Sequence, residues 1–221
     1  PGRVPATAPK PILGKPFVEP PRSDDFGGPT LGRQWQWSHN PDDRRWSLGE
    51  RPGYLRLKTT QAADFWRARN TLVQKGQGPK SRAVIKVDAR GLVSGDACGF
   101  GTFGKFSSQI VLTRNAAGHG ELGARLIEST QAGPVTTPRG ASVPIALKDL
   151  WLSVEMDFTT DKSALAYSLD GKAWTSLPGD FPLAYDWRTG TFQGEQYGLF
   201  CYNPKGGEGR LDVDSFTLSK P

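Results

Sequence analysis

The stretch Leu150-Trp151-Leu152-Ser153-Val154-Glu155-Met156-Asp157-Phe158 decides the fold. Successive side chains of an extended chain point to opposite faces, so Leu150, Leu152, Val154, Met156 and Phe158 form one row and Trp151, Ser153, Glu155 and Asp157 the other. An apolar row backed by a mixed polar row is a strand with one face on a core and one toward water. Working outward, the same alternation recurs in Tyr54-Leu55-Arg56-Leu57-Lys58 and Arg82-Ala83-Val84-Ile85-Lys86-Val87-Asp88, and more loosely in Gln109-Ile110-Val111-Leu112-Thr113-Arg114. Turn signals separate these runs at Asn115-Ala116-Ala117-Gly118, Asp170-Gly171 and Lys205-Gly206-Gly207. The Asp170-Gly171 pair between 164–169 and 172–177 reads as a hairpin. No segment carries a 3.6-residue apolar stripe over three turns, and no internal repeat is visible. Many short strands joined by turns predict an all-β protein, an antiparallel β-sandwich of jelly-roll type.

Composition agrees. Of 221 residues, 36% are hydrophobic and 10% aromatic, enough for a core. No apolar run approaches the ~20 residues of a spanning helix, so no membrane partner is expected. Twenty-seven glycines, 18 prolines and a single methionine argue for many turns and few helices. The net charge of +6 is spread among acids, with no Lys/Arg block and no nucleic-acid motif, so no nucleic-acid partner is expected either. Cys98 and Cys201 each lie in a hydrophobic, strand-like stretch, where buried free thiols are the default. A disulfide requires their strands to be neighbours. Residues 1–22, with Pro9-Lys10-Pro11, Lys15-Pro16 and Glu19-Pro20-Pro21, read as an extended linker or arm ahead of a sandwich domain over 23–221. No charged-then-apolar signal segment opens the chain, which is therefore mature, cut from a longer protein or cytoplasmic; a secreted or periplasmic location is favoured.

Between Asp24 and Lys58, three tryptophans (Trp35, Trp37 and Trp46) sit with His39, Asn40 and several acids and amides. A sugar packs its C–H face on an indole and bonds its hydroxyls to a polar rim, so this composition suits a carbohydrate. The plainer alternative is that the indoles are core. Glu155 and Asp157 share a strand face and resemble the start of the Glu-x-Asp-x-Glu strand of family 16 sandwich endoglycanases. The third position is Thr159, which removes the second glutamate such catalysis needs. His39 and His119 have no nucleophilic-serine or reactive-cysteine context, and no His/Cys spacing suggests a metal. A calcium ion pinning the chain ends would use Asp24, Asp25 and Asp214; ordinary exposed acids are the alternative.

A longer pattern adds to this. Asp24-Asp25-Phe26, Leu31-Gly32, Gln34-Trp35-Gln36-Trp37, His39-Asn40-Pro41-Asp42, Trp46-Ser47-Leu48 and Glu50-Arg51-Pro52-Gly53-Tyr54-Leu55-Arg56-Leu57 follow in order. After them come Ala68-Arg69-Asn70-Thr71-Leu72, Tyr167-Ser168-Leu169-Asp170-Gly171-Lys172-Ala173-Trp174, Phe192-Gln193-Gly194, Tyr197-Gly198-Leu199-Phe200 and Leu211-Asp212-Val213-Asp214-Ser215-Phe216. Together, over roughly 23–218, they resemble the C-terminal domain of family 43 β-xylosidases. The resemblance implies a concanavalin-A-like jelly roll, preceded in that family by a five-bladed propeller that carries the catalytic carboxylates. The domain alone should then not cleave glycosides. It would bind xylan or xylo-oligosaccharide as an accessory module, or dock on the propeller and complete its active site, with a loop phenylalanine, here Phe192, walling the substrate. Trp37, His39, Asn40, Trp66, Arg69 and Trp151 are the candidate ligand or interface contacts. A stand-alone sandwich glycosidase is the remaining competitor. The Phe- and Gly-rich run Cys98–Phe106, and Trp187 beside the loop, depart from the pattern and leave ligand preference open.

Overall fold

The structure, a computed structural model, describes residues 5–9, 14, 18–19, 21–189 and 193–220. Its strands are β1 (Gln36–Trp37), β2 (Trp46–Ser47), β3 (Leu55–Lys58), β4 (Thr60–Gln61), β5 (Leu72–Lys75), β6 (Lys80–Asp88), β7 (Ala97–Phe103) and β8 (Phe106–Arg114). They continue with β9 (Gly120–Thr130), β10 (Gly133–Ile145), β11 (Asp149–Asp157), β12 (Lys162–Ser168), β13 (Thr175–Ser176), β14 (Gln196–Asn203) and β15 (Arg210–Ser219). Among the described residues the only helical segments are 3-10 turns at Asp43–Arg45 and Trp187–Thr189. One sheet runs β1-β5-β14-β7-β8-β9-β10, with β4 added beside β14, and the other runs β13-β12-β11-β6-β15-β3-β2. Apart from the short parallel β4–β14 pair, the ladders are antiparallel, and the two sheets face each other as the sandwich expected from the alternation.

The register of the central strand follows from its pattern. In β11, Leu150, Leu152, Val154 and Met156 are fully buried, and Leu152 pairs with Ile85 of β6 and Tyr167 of β12. A slip of one residue would turn this row to water, so burial holds the register. Facing it across the sandwich are Phe100, Ile110, Leu112, Tyr197 and Leu199, in one continuous core. Trp35 belongs to that core, 4.9 Å from Phe216 and with its indole N–H donating to Asp24 Oδ2 at 2.8 Å. Asp24 and Phe216 also exchange both backbone hydrogen bonds at 2.8 Å, which ties the start of the domain to its last strand. On the exposed edge strand β10, Pro134, Pro138 and Pro144 remove donors that a second sheet edge would need.

One expectation needs correction, and a second is borne out in a wider form. Cys98 and Cys201 are not free thiols: they sit directly opposite each other on β7 and β14 and form a fully buried disulfide. The pairing of these two strands was not legible in either stretch alone. The hairpin expected around Asp170-Gly171 forms between β12 and β13, with a loop wider than two residues, because Tyr167 pairs with Thr175 and leaves 168–174 between them. Asp170 Oδ1 accepts the amides of Lys172 and Ala173 at 2.8 and 2.9 Å, while Gly171, at φ +74°, packs on Trp151. These side-chain acceptors hold the wider loop that a tight type I′ turn would not need.

The disulfide spans a sequence separation of 103. Replacing both cysteines by alanine should lower the unfolding free energy by about 3–5 kcal/mol, the entropy expected for closing so long a loop. Guanidinium denaturation of oxidised wild type and double variant checks this; equal midpoints would show that the bond stabilises nothing.

Candidate functional site: an aromatic cleft on the outer face of the larger sheet

Alternation along β14 sends Tyr197, Leu199 and Cys201 into the main core, and Gln196, Gly198, Phe200 and Tyr202 to the opposite face. That second face is not left to water. The 62–68 segment folds over it, and Phe65, Phe200, Tyr202, Val111 and Ile127 form a smaller apolar cluster there. Trp66 and Phe103 border this cluster, their ring centroids 4.1 Å apart. Beside them opens a cleft of ≈ 170 Å³ lined by Trp37, Ser38, His39, Trp66, Val73, Phe103, Gly104, Gln193, Gly194 and Gln196. The space suits one ring-sized group, well below the ~300 Å³ at which pockets for larger ligands begin.

Each wall has a local cause. Trp37 sits at the sheet edge on β1 and leans on Trp46 of the other sheet, ring centroids 5.0 Å apart. The following residues are held by the 69–71 segment: Ser38 donates its amide to Thr71 O at 3.0 Å, and Arg69 donates from Nε to Asn40 O at 2.9 Å and from Nη2 to Pro41 O at 3.3 Å. Fully buried Asn70 anchors that segment, donating to Lys58 O at 2.5 Å and Cys201 O at 2.9 Å. On the other side, Lys75 Nζ donates to Gln193 O at 2.5 Å, and Gln196 Nε2 to Gln36 Oε1 at 3.1 Å. Two polar wall atoms, Ser38 Oγ and Trp66 Nε1, are buried without a hydrogen-bond partner. Unpaired buried donors and acceptors are costly, and a bound polar group or water relieves that cost.

The structure thus brings together Trp37, His39 and Trp66 among the expected contacts. Arg69 does not line the cleft; it positions the 39–41 wall. Asn40 is exposed and contributes its carbonyl to that clamp. Trp151 lies on the other sheet, under the Gly171 turn and 5.8 Å from Lys86 Nζ, so it belongs to a different surface. Phe192 lies outside the described residues. Sequence reasoning missed Ser38, Val73, Phe103, Gly104, Gln193 and Gln196 as lining groups, although Phe103 and Gly104 fall in the Phe/Gly run singled out above. Of the residues expected to hold calcium, Asp24 and Asp25 line one surface hollow with Ser215, Phe216 and Thr217; Asp24 accepts from Phe26 N, Gln34 Nε2 and Trp35 Nε1, Asp25 accepts from Gly27 N, and Asp214 pairs with Lys86 at 3.3 Å. Among the described residues no three carboxylate, His or Cys groups cluster as a metal shell. Glu155 and Asp157 are both salt-bridged to Lys80, at 2.8 and 3.7 Å, and the Thr159 hydroxyl and amide hold the Asp157 carboxyl below its ordinary range.

Glu195, just behind the cleft, is the strongly perturbed carboxyl. Burial pushes it up to about 8, opposed only in part by the Ala184 amide donating to Oε1 at 3.1 Å.

Comparison with known proteins gives these features a family. The profile of the β-xylosidase C-terminal concanavalin A-like domain matches residues 23–219. The chain belongs to this family. It is 33% identical over 230 residues to a β-xylosidase of Formosa agariphila, covering 94% of this chain and 36% of the relative. Among solved structures, a family 43 glycoside hydrolase engineered to display both endo-xylanase and exo-arabinofuranosidase activity superposes with a TM-score of 0.82 at 26% identity, over 95% of this chain and 42% of that one. The family 43 protein BlXynB from Bacillus licheniformis gives 0.79 at 26% identity, over 93% and 40%. The chain therefore spans well under half of the relatives it matches: it is the C-terminal sandwich domain of family 43 xylosidase-like enzymes.

A proton-binding carboxyl gives this domain a pH-dependent stability. Below its ordinary value of 4.5, Glu195 is neutral folded and unfolded alike. As pH rises from there toward about 8, the unfolded chain loses the proton while the folded chain keeps it, and stability falls. Glu195→Gln should therefore be more stable than wild type by about 3 kcal/mol at pH 7, with the gap closing near pH 4.5. Urea midpoints at the two pH values measure it; a gap independent of pH would contradict the assignment.

Proposed function

We propose that this domain is the non-catalytic accessory module of a xylan-degrading family 43 enzyme, and that it takes a terminal unit of xylan or a xylo-oligosaccharide in the Trp37–Trp66 cleft. The observation that carries the reading is the cleft itself: indole and phenyl rings on its walls, with His39, Gln193, Gln196 and Ser38 at hand for hydroxyls. Its size favours a chain end over the middle of a polymer, which needs an open groove. The β-xylosidase relative supports the substrate class. The buried Cys98–Cys201 bond supports an oxidising compartment, and hence a secreted or periplasmic enzyme.

A second reading is docking on a catalytic propeller. Tyr185 and Trp187, 58% and 60% exposed, lie two positions apart in the sequence ahead of Phe192. Exposed aromatic rings are enriched at interfaces. The hollow that Tyr185 lines shares Gln193 and Gly194 with the cleft, so the two readings are compatible.

Titration calorimetry with xylobiose through xylohexaose tests the function. Binding should saturate at the shorter oligosaccharides, and Trp66→Ala should weaken it at least ~10-fold, the loss expected for removing an aromatic platform worth about 1.4 kcal/mol or more. No heat with any oligosaccharide would remove the sugar reading. Restored xylosidase activity on mixing with a separately produced family 43 propeller would then leave docking as the role.

A further inference from the structure

The cleft wall has a carboxyl behind it that no sugar contact explains. Glu195 joins three elements: its carbonyl accepts from Gly76 N after β5 at 3.0 Å, its Oε1 accepts from Ala184 N, and its Oε2 presses on Gly104 between β7 and β8. A Cβ at Gly104 would come within 2.1 Å of that oxygen, so a side chain there would force the Glu195 carboxyl to shift. Oε2 is buried with no partner. The Gly104 amide is already directed at Ser107 Oγ, at 3.4 Å. Glu195 also lines a second hollow with Phe158, Asp161, Leu183, Ala184 and Tyr185, and the two hollows share Gln193 and Gly194 as their common wall.

Other ionisable groups surround this wall without reaching the carboxyl. Lys75 is spent on Gln193 O, and burial holds its ammonium below its ordinary range. Lys105 pairs with Asp186 at 3.4 Å, and Arg188 with the same Asp186 at 3.1 Å. Asp161 and Tyr185 line the second hollow, and His39 lines the cleft. None of them forms a hydrogen bond or ion pair with Glu195. A carboxylate oxygen with no donor cannot remain in such a place without drawing in water or moving.

We propose that Glu195 is a proton-controlled wedge behind the cleft: protonated, it lets Gly104, Gln193 and Gly194 stand as a closed wall, and on losing its proton to solvent it admits water and spreads that wall. The same carboxyl thereby makes sugar binding weaken on the alkaline side. The proposal rests on the reading above only for the ligand that senses the change; the movement of the wall is independent of it.

The test follows the Gly104 and Ala184 amides and the Trp66 indole N–H by 1H–15N spectroscopy of the whole chain from pH 6 to 9.5, in wild type, E195Q and K75Q. All three signals should share a midpoint near the Glu195 value of about 8 in wild type and in K75Q, and should be flat over this range in E195Q. Xylotriose affinity should fall several-fold between pH 6.5 and 9 in wild type, and stay level in E195Q. The wedge is overturned if Gly104 and Trp66 stay flat in wild type, or if their step disappears in K75Q or survives in E195Q. If xylotriose binds at no pH while the three signals titrate together, the sugar reading fails and the wedge stands.

Discussion

The two sheets are held together by one interdigitated apolar layer, with Leu150, Leu152, Val154 and Met156 of β11 meeting Phe100, Ile110, Leu112 and Leu199 of the other sheet. Everything functional here hangs on that layer. Because it consumes one face of β5, β7 and β14, alternation forces Val73, Phe103 and Gln196 to the opposite face, where they become the floor of the cleft. A large sheet face cannot remain bare. The 62–71 segment covers part of it with Phe65 and stops at Trp66, and the cleft is what remains at the edge of that cover.

The described lining of the cleft consists of rings, amides, a hydroxyl, an imidazole and glycine backbone, beside Val73. Its rings and amides offer contact and hydrogen bonds, and the carboxylates that a sandwich glycosidase would use are tied to Lys80 on the other sheet. Several charged side chains of the smaller sheet are similarly paired. Asp212, where burial acts to raise the carboxyl, is nonetheless held low by Arg56 at 2.7 Å and Arg51 at 2.8 Å. Glu195 stands apart as an acid with a single donor on one oxygen and none on the other.

How much of this was legible depended on range. The period-two rows of β3, β6 and β11 follow directly from local alternation, and so do the sandwich and its buried faces. The family pattern from Asp24 to Phe216 was readable too, but much of it proves to be structural. Trp35 and Asp24 close the end of the core, and Arg69-Asn70-Thr71 form the clamp beneath the 38–41 wall. What stayed hidden were facts of long-range pairing. The Cys98–Cys201 bond, the meeting of Trp66 with Phe103 and the burial of Glu195 each require β7 to lie beside β14, which no local stretch reveals. Trp151 is the opposite case: alternation along β11 gives its outward position, but nothing local gives the wide 168–174 loop that lies over it.

A crystal structure of the chain soaked with xylotriose tests the central claim most directly. A single pyranose ring seated between Trp37 and Trp66, its hydroxyls within reach of His39, Gln193 or Gln196, is the outcome this account requires. Ordered sugar on the Trp151 face, or an empty cleft at saturating ligand, would contradict it.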